Sequence, residues 1–335
     1  MKRILLLPFA WLVSGILRLR HWLFDRGLLK STRPGVSTIA IGNLSFGGTG
    51  KTPHVEMLLR MLKDEGQFAV LSRGHGRRTK GFREVLAESD PLDVGDEPLQ
   101  IKLNFPDVPV FVCADRVQGI DRIVRAFPDL KAVILDDALQ HRKLQASLYI
   151  LLTTWQRPYH KDELFPAGTL RDIRSRARAA RIVIVTKCPQ LPDQKEQERW
   201  REELDLLPDQ ELFFSGIEHP DLSSTEGKHV LLVTGIADPK PLADRIRPLC
   251  TSMEHVAFPD HHRFSKSDLQ ALARRSVNFA PVPGILVTTE KDAVRLRSAF
   301  SNGPLEGIPW TVIGMRATIL NDPGRFRATI EAHVK

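Results

Sequence analysis

The stretch TIAIGNLSFGGTGKT, Thr38 to Thr52, joins an apolar run to a glycine-rich turn. Its end matches the close of the phosphate-binding loop G-x-x-x-x-G-K-[ST], although Ser45 stands where the first glycine of that pattern falls. The glycines let successive backbone N–H groups face one anion, and a following helix adds its N-terminal dipole. The stretch therefore predicts a strand, a nucleotide-binding loop and a helix. The predicted nucleotide-binding residues are Gly47, Gly48, Thr49, Gly50, Lys51 and Thr52.

A phosphate-binding loop also needs a carboxylate for Mg²⁺ at the end of a neighbouring buried strand. The segment KAVILDDALQH, 131–141, supplies Asp136 and Asp137 directly after an apolar run. We predict that Thr52, Asp136 and Asp137 hold the metal while Lys51 reaches the β- and γ-phosphates. The sequence leaves open which of the two aspartates contacts Mg²⁺.

Length and charge set broad limits on the fold and the partners. A chain of 335 residues suggests two domains, and a net charge of +8 suits nucleic acid, an anionic membrane surface or phosphorylated substrates. The basic residues are scattered and there are only two tyrosines, so the sequence has no aromatic platform for nucleic acid. The three cysteines are far apart, which offers neither a zinc site nor a disulfide framework and is typical of a reducing cytosol.

The N-terminal segment is apolar but short. The run ILLLPFAWLVSGIL, 4–17, has fewer residues than the ~20 that span a bilayer. At helical spacing, leucines and Ile16 fall on one face, opposite Ser14, Arg18, His21 and Asp25. This pattern favours a helix that lies on a membrane surface. The alternatives are a helix packed on the protein's own core and a cleaved signal peptide, which is disfavoured by basic residues on both flanks and no A-x-A site.

Apolar runs alternate with helical stretches from Val36 onwards, which predicts two α/β units. The predicted strands are 36–42, 68–72, 109–113, 131–136, 147–152, 181–186, 229–234, 252–257, 284–289 and 308–314. The predicted helices are 51–65, 115–127, 169–180, 195–206, 239–248, 265–279, 290–300 and one from 322. We predict an amphipathic helix over 1–30, a P-loop NTPase-type, mostly parallel sheet domain over 31–216, and a smaller α/β domain over 217–335 that closes over the active site.

Four further motifs carry acids and bases. DVGDEP, 93–98, places Asp96 and Glu97 at a helix start, where an N-cap is the alternative to a catalytic role. FPDHHRF, 258–264, offers a His–Asp couple that takes a hydroxyl proton, since two histidines without a third ligand make a weak zinc site. FPAGTLRDI, 165–173, offers Arg171 and Asp172 to a phosphoryl group. TTEKDAVRL, 288–296, ends a strand with charged residues that have no evident role.

The basic loop SRGHGRRTKGF, 72–82, concentrates cations among glycines. It predicts either a mobile flap over phosphates or a solvated loop. The predicted substrate-binding residues are Arg73 and Arg77 of this loop, together with Glu97 of DVGDEP.

These pieces, in this order, resemble the tetraacyldisaccharide 4'-kinase family, the lipid A 4'-kinases. The likeness runs from residue 42 to 294, through GNLSFGGTGKTP, SRGHGRRTKGF, VGDEP, DDALQH, FPAGTLRD, VTKCP, FPDHHRF and TTEKDAV. The family loop reads G-N-x-x-x-G-G-x-G-K-T, so its first glycine corresponds to Gly42 and Ser45 is ordinary there.

The resemblance implies ATP- and Mg²⁺-dependent phosphorylation of the 4'-hydroxyl of a tetraacyl glucosamine disaccharide 1-phosphate, at the cytoplasmic face of the bacterial inner membrane. It implies Asp96 with His261 as the base, Arg171 as a phosphate contact, and an N-terminal helix on the membrane. Two positions depart from the family pattern: Asp172 replaces a common glutamate, and His75 replaces a common tyrosine.

The sequence is also compatible with two rival functions. One is a regulatory P-loop GTPase or metallochaperone ATPase, because VTKCP faintly resembles the guanine-reading [NT]-K-x-D, although Cys188-Pro189 supplies no aspartate. The other is a non-catalytic membrane-binding module that uses ATP only for structure.

Overall fold

Two β-sheets organise the chain in the computed structural model, which describes residues 2–219, 221–276 and 284–334. The strands of the described residues are β1 (Ser37–Asn43), β2 (Phe68–Ser72), β3 (Arg83–Glu84), β4 (Val110–Val112), β5 (Ala132–Asp136), β6 (Leu148–Thr154), β7 (Ile182–Thr186), β8 (Glu211–Glu218), β9 (His229–Thr234), β10 (Ser252–Ala257), β11 (Gly284–Thr289), β12 (Trp310–Ile313) and β13 (Arg316–Ile319).

Helices cover the sheets and connect their strands. They are α1 (Lys2–Asp25), α2 (Lys51–Leu62), α3 (Pro91–Val94), α4 (Asp96–Asn104), α5 (Arg116–Ala126), α6 (Gln194–Glu203), α7 (Lys240–Ile246), α8 (Lys266–Ser276), α9 (Glu290–Asn302) and α10 (Pro323–Glu331). Short 3₁₀ turns lie at Tyr159–Lys161, Arg174–Ala179 and Ser223–Thr225.

The large sheet places the phosphate-binding loop beside the carboxylate strand. Its order is β13-β8-β7-β6-β1-β5-β2-β4-β3, and β1 pairs in parallel with both β5 and β6. Ile41 of β1 lies opposite Asp136 of β5. Because parallel strands end at the same edge of a sheet, the loop after β1 and the acids after β5 emerge side by side.

The small sheet has the order β10-β9-β11-β12, with all neighbouring strands parallel. After β12 the chain returns to the large sheet, where β13 pairs antiparallel with β8 and Phe326 of α10 packs edge-on against Phe213 at 5.1 Å. Residues 229–313 thus build the small sheet. The proposed domain boundary at residue 217 stays a prediction. The C-terminal end of the predicted second domain contributes β13 to the large sheet.

Most predicted elements coincide with observed ones, but the helix predicted over 169–180 is wrong. There the backbone pairs with the chain leaving β1: Phe46 donates to the Thr169 carbonyl at 2.7 Å, and Arg171 donates to the Leu44 carbonyl at 2.7 Å. These bonds hold residues 169–171 extended, and only the 3₁₀ turn Arg174–Ala179 follows. The sequence reasoning also missed β8 and β13. The helix predicted over 265–279 is observed as Lys266–Ser276, and residues 277–279 lie outside the described ones.

Helix α1 buries His21 of the predicted polar face, together with Ala10 and Phe24. His21 is only 6% exposed, whereas Leu12, Ile16 and Leu19 are 65%, 60% and 59% exposed. The apolar face that carries Leu12, Ile16 and Leu19 therefore does not pack on the protein's own core, and its place on a membrane stays a prediction. Within the described residues, none of the helices combines the length and the apolar character needed to cross a bilayer.

Candidate active site

The phosphate-binding loop is held from the ends of two strands, β1 and β7. Asn43, the last residue of β1, donates from Nδ2 to Thr49 Oγ1 at 2.8 Å. Thr186, at the end of β7, donates its hydroxyl to the Thr49 carbonyl at 2.9 Å. Ser45 forms an antiparallel bridge with Leu170, so the loop enters alongside another segment instead of through a glycine turn. Ser45 does not have a positive φ, so this position does not require the glycine of the common loop pattern.

Gly50 ends the loop in a conformation that favours glycine. Its φ of 89° is left-handed, and it immediately precedes Lys51 at the start of α2. His54, one turn later, contacts the Gly50 carbonyl through Nδ1 at 2.7 Å and Ser215 Oγ through Nε2 at 2.9 Å. Burial lowers the pKa of His54 to about 4, so the ring is neutral near pH 7. The ring therefore ties the loop to β8, a role that sequence reasoning missed.

Two cations converge on Asp137 directly beside the loop. Arg171 donates from Nη1 to Asp137 Oδ2 at 2.8 Å and from Nη2 to Oδ1, while Lys51 Nζ lies 4.0 Å from Oδ1. Arg171 Nη2 also donates to the side-chain oxygen of Asn43. Burial acts to raise the pKa of Asp137, but the hydrogen bond from Arg171 and the charge of Lys51 outweigh it and hold the pKa below its usual range. Asp137 is therefore ionised. Its backbone has a left-handed φ of 54°.

Asp136 lies in a different environment from its neighbour. It is 1% exposed and accepts a hydrogen bond from Ser72 Oγ at 3.0 Å on Oδ2. Its other oxygen, Oδ1, is buried and has no hydrogen-bond partner among the described residues. Burial, together with the negative charges of Glu97 and Asp137, raises the pKa of Asp136 to about 7. A buried carboxylate oxygen without a partner is stabilised by a cation.

The donors at this point fit Mg²⁺. In the described parts of the chain, no three His, Cys, Asp or Glu side chains gather into a site built from protein alone. Mg²⁺ usually takes one or two carboxylates and completes its shell with substrate phosphates and water. Asp136, Asp137 and the hydroxyl of Thr52 at the second position of α2 are donors of this kind.

A second cluster lies where the two units meet. Asp96, the first residue of α4, accepts hydrogen bonds on Oδ2 from Arg295 Nε at 2.8 Å and from His261 Nδ1 at 3.3 Å. Burial acts to raise the pKa of Asp96, but the bond to His261 and the charge of Arg295 outweigh it, so the pKa is lowered. The hydrogen bonds to this carboxylate within the described residues all use Oδ2, which leaves Oδ1 for a substrate.

Lys291 determines which nitrogen of His261 carries the proton in the neutral ring. Its ammonium group lies 3.0 Å from His261 Nε2 and 3.0 Å from Asp260 Oδ1. An ammonium group can only donate, so Nε2 accepts and Nδ1 bears the hydrogen that faces Asp96. Lys291 and Arg295 are four residues apart on α9, hence on one helix face. That spacing in TTEKDAVRL was the sequence signal for their joint role.

The two clusters lie close together. Gly95 has a φ of 94°, and a Cβ there would come within 3.2–3.3 Å of the Gly74 and His75 backbone, so the VGDEP turn packs against the basic loop. The His75 and His261 rings are 6.1 Å apart. Glu97 lies near enough to Asp136 for its charge to raise that pKa, and its carboxylate is 3.8 Å from Lys291 Nζ. The acids of α4 thus lie between the loop and the second unit.

The remaining predicted site residues have different surroundings. Arg73 is exposed directly after Ser72. Arg77 donates to the Gly81 carbonyl at 2.6 Å within its own loop, while Arg78 pairs with Asp93 of α3 at 2.6 Å.

Asp172 lies next to the site but binds α1. It is fully buried, and its Oδ1 contacts His21 Nε2 at 2.7 Å. Its uncertain role as a metal ligand stays a prediction, and the contact with α1 is one that sequence reasoning did not find.

The chain is similar to several known proteins. The model of the family described as "Tetraacyldisaccharide-1-P 4'-kinase" matches residues 2–335. A tetraacyldisaccharide 4'-kinase of Flavobacterium johnsoniae is 38% identical over 343 residues, covering 99% of this chain and 97% of the relative. One of Bacteroides fragilis is 42% identical over 310 residues, covering 87% and 82%. The crystal structure of LpxK from Aquifex aeolicus in complex with ATP matches with a TM-score of 0.75 and 25% identity over the whole of both chains.

Proposed function

The chain belongs to the tetraacyldisaccharide-1-P 4'-kinase family, and from this premise we propose that it transfers the γ-phosphoryl group of ATP to the 4'-hydroxyl of a tetraacyl glucosamine disaccharide 1-phosphate. The observation that carries the mechanism is the position of Asp96. It is held by His261 and Arg295 from the second unit, and its neighbour Glu97 faces the acids beside the phosphate-binding loop.

ATP binds with its phosphates on the backbone N–H groups of residues 47–52 and the N-terminus of α2. Lys51 and Arg171 then contact the β- and γ-phosphates, since both cations lie next to the Asp137 carboxylate beside the loop. Asp136, Asp137 and Thr52 would hold Mg²⁺. When bound, Mg²⁺ neutralises charge on the phosphates and offsets their repulsion with the two aspartates.

Asp96 accepts the proton of the attacking hydroxyl. The acceptor oxygen forms a bond to the γ-phosphorus, the bond from that phosphorus to the β–γ bridging oxygen breaks, and ADP leaves. The hydroxyl proton passes to Oδ1 of Asp96, while Oδ2 stays bound to His261 and Arg295. A carboxylate with a lowered pKa suffices, because in a loose transition state the proton leaves late.

The acceptor is amphiphilic, and the surfaces beside the site match both of its parts. Arg73 and Arg77 of the basic loop, with Glu97, bind the sugar and its anomeric phosphate. The exposed apolar residues of α1, among them Trp11 at 70%, Leu12 and Ile16, lie in the cytoplasmic face of the bacterial inner membrane and make the protein peripheral.

The test of the reaction is transfer of label from γ-labelled ATP to a lipid A disaccharide 1-phosphate in detergent micelles, with Mg²⁺ or with EDTA. We expect a bis-phosphorylated lipid only with Mg²⁺. Label found solely as free phosphate would overturn the acceptor assignment.

The membrane assignment has its own test, vesicle flotation of a Leu12→Glu/Ile16→Glu variant. Both side chains are exposed, so folding is unaffected, and we expect the variant to leave the anionic vesicles. Flotation equal to wild type would place the membrane contact elsewhere.

A further inference from the structure

Helix α1 reaches the phosphate site through a buried contact. His21 Nε2 lies 2.7 Å from Asp172 Oδ1, and both residues are buried, at 6% and 0% exposed. Asp172 Oδ1 also accepts the backbone N–H of Ile173 at 2.9 Å. Since Asp172 directly follows Arg171, this contact fixes the backbone from which the Arg171 guanidinium extends.

A second route joins the same helix to the end of β1. Arg20 Nη2 donates to the Gln140 carbonyl at 3.2 Å, and Gln140 Nε2 donates to the Asn43 carbonyl at 2.8 Å. Asn43 in turn accepts from Arg171 and donates to Thr49 in the loop. Both routes therefore end on residues that hold the phosphates in the proposed mechanism.

The buried contact between His21 and Asp172 contributes more to the docking of α1 than the exposed ion pair at the end of the helix. Asp25 pairs with Arg142 at 2.6 Å, but Asp25 is 63% exposed, and exposed ion pairs contribute little. Removal of His21 instead leaves the Asp172 carboxylate buried without that partner, which is costly and is relieved by movement of the chain. Such movement displaces Arg171.

We infer that α1 is part of the ATP site, and that His21 is a positioning residue that holds Arg171 in place through Asp172. The helix that carries the proposed membrane surface then also sets the affinity for the phosphates. The inference deepens the proposed function. The effect on MgATP binding can be measured without that function, and only an effect on lipid phosphorylation rests on it.

The test is a double-mutant cycle on the full chain, with the dissociation constant of MgATP as the readout. His21→Phe keeps the volume of the ring and removes the donor, and we expect about 10-fold weaker MgATP binding. Arg171→Ala weakens binding by about 10²-fold. In the Arg171→Ala background, His21→Phe then changes the affinity by less than about 2-fold, because its effect acts through Arg171. Additive losses would overturn the inference.

Matched variants separate this effect from general destabilisation. His21→Gln places an amide donor near the position of Nε2 and restores affinity to within about 3-fold of wild type. His160→Ala removes another histidine–carboxylate contact, the 3.1 Å contact with Glu203, and leaves MgATP binding unchanged. A loss in His160→Ala as large as in His21→Phe would overturn the inference.

Two further measurements separate a failure to fold and a failure of the proposed function from a failure of this inference. If His21→Phe fails to melt cooperatively, the cycle is run with His21→Asn, whose amide is too short to reach Asp172. Because nucleotide binding needs no acceptor, a wild-type protein that binds ATP but phosphorylates no lipid would refute the proposed function alone.

Discussion

The nucleotide side and the base side of the cleft are built in different ways. The nucleotide side comes from adjacent strands of one sheet, with Lys51 following β1 and Asp137 following β5. The base side joins Asp96 of α4 to His261, after β10, and Arg295 of α9. The first is assembled by local chain geometry, whereas the second exists only when the two units are in contact. Substitutions on the two sides should therefore affect different steps.

The largest effect is expected on the nucleotide side. Lys51→Met removes one of the two cations that face the phosphates, and we expect a loss of about 10³-fold in kcat/KM together with weaker ATP binding. Steady-state transfer and equilibrium MgATP binding check this. Lys63→Met, at the other end of α2, is the matched control. Unchanged ATP affinity in Lys51→Met would remove the distinction between the two sides.

On the base side, Asp96→Asn should lower kcat by at least about 10²-fold, the usual scale for loss of a general base. Because Asp96 is not needed to hold the phosphates, MgATP affinity should stay within about 3-fold of wild type. The two constants are measured on the same preparation. A variant that loses ATP binding as severely as Lys51→Met would show that both sides act as one site, and undiminished turnover would exclude Asp96 as the base.

Lys291 offers a smaller change on the same side. Lys291→Met removes the donor at 3.0 Å from His261 Nε2, so the ring can turn or change tautomer, and we expect kcat to fall about 10-fold. Lys291→Arg keeps a donor and should recover most of the rate. Equal losses in both variants would indicate that the length of the side chain, not the donor, is what matters.

The same contrast explains how much the sequence could predict. The loop, the acids after β5 and most strands follow from patterns within a dozen residues. The pairing of Asp96 with His261 came from family resemblance, and Arg295 was missed, because its four-residue spacing from Lys291 does not identify a partner 199 residues away. The extended segment at 169–171 was mistaken for a helix since its backbone partners lie after β1. The contact between His21 of α1 and Asp172 was not predicted, because the two residues are distant in sequence.

The two sides also meet away from the chemistry, at a pair of acids of which Glu56 is buried and Glu290 is half-buried. Glu56 of α2 and Glu290 of α9 both accept from Gln100 Nε2, at 3.1 and 3.3 Å, and from Asn104 Nδ2, at 3.0 and 3.1 Å. Burial, together with the charge of Glu290, raises the pKa of Glu56 to about 7. Shared amide donors thus connect the acids of α2 and α9, while burial and the charge of Glu290 favour the protonated form of Glu56.

The smallest expected effect on activity, and a clear one on stability, follows from this pair. The pKa of Glu56 is about 4.3 in an unfolded chain and higher in the folded one, so between these values the folded chain binds a proton that the unfolded chain has released. The free energy of unfolding therefore falls as the pH rises from about 5 through 7. Glu56→Gln mimics the protonated form and should remove of the order of 1–3 kcal/mol of that decline between pH 5.5 and 8. Urea unfolding at both pH values measures it, with the exposed Glu88→Gln as control. If the variant declines as steeply as wild type, the contact between the two units does not depend on this proton, and the base side is held by Asp96, His261 and Arg295 alone.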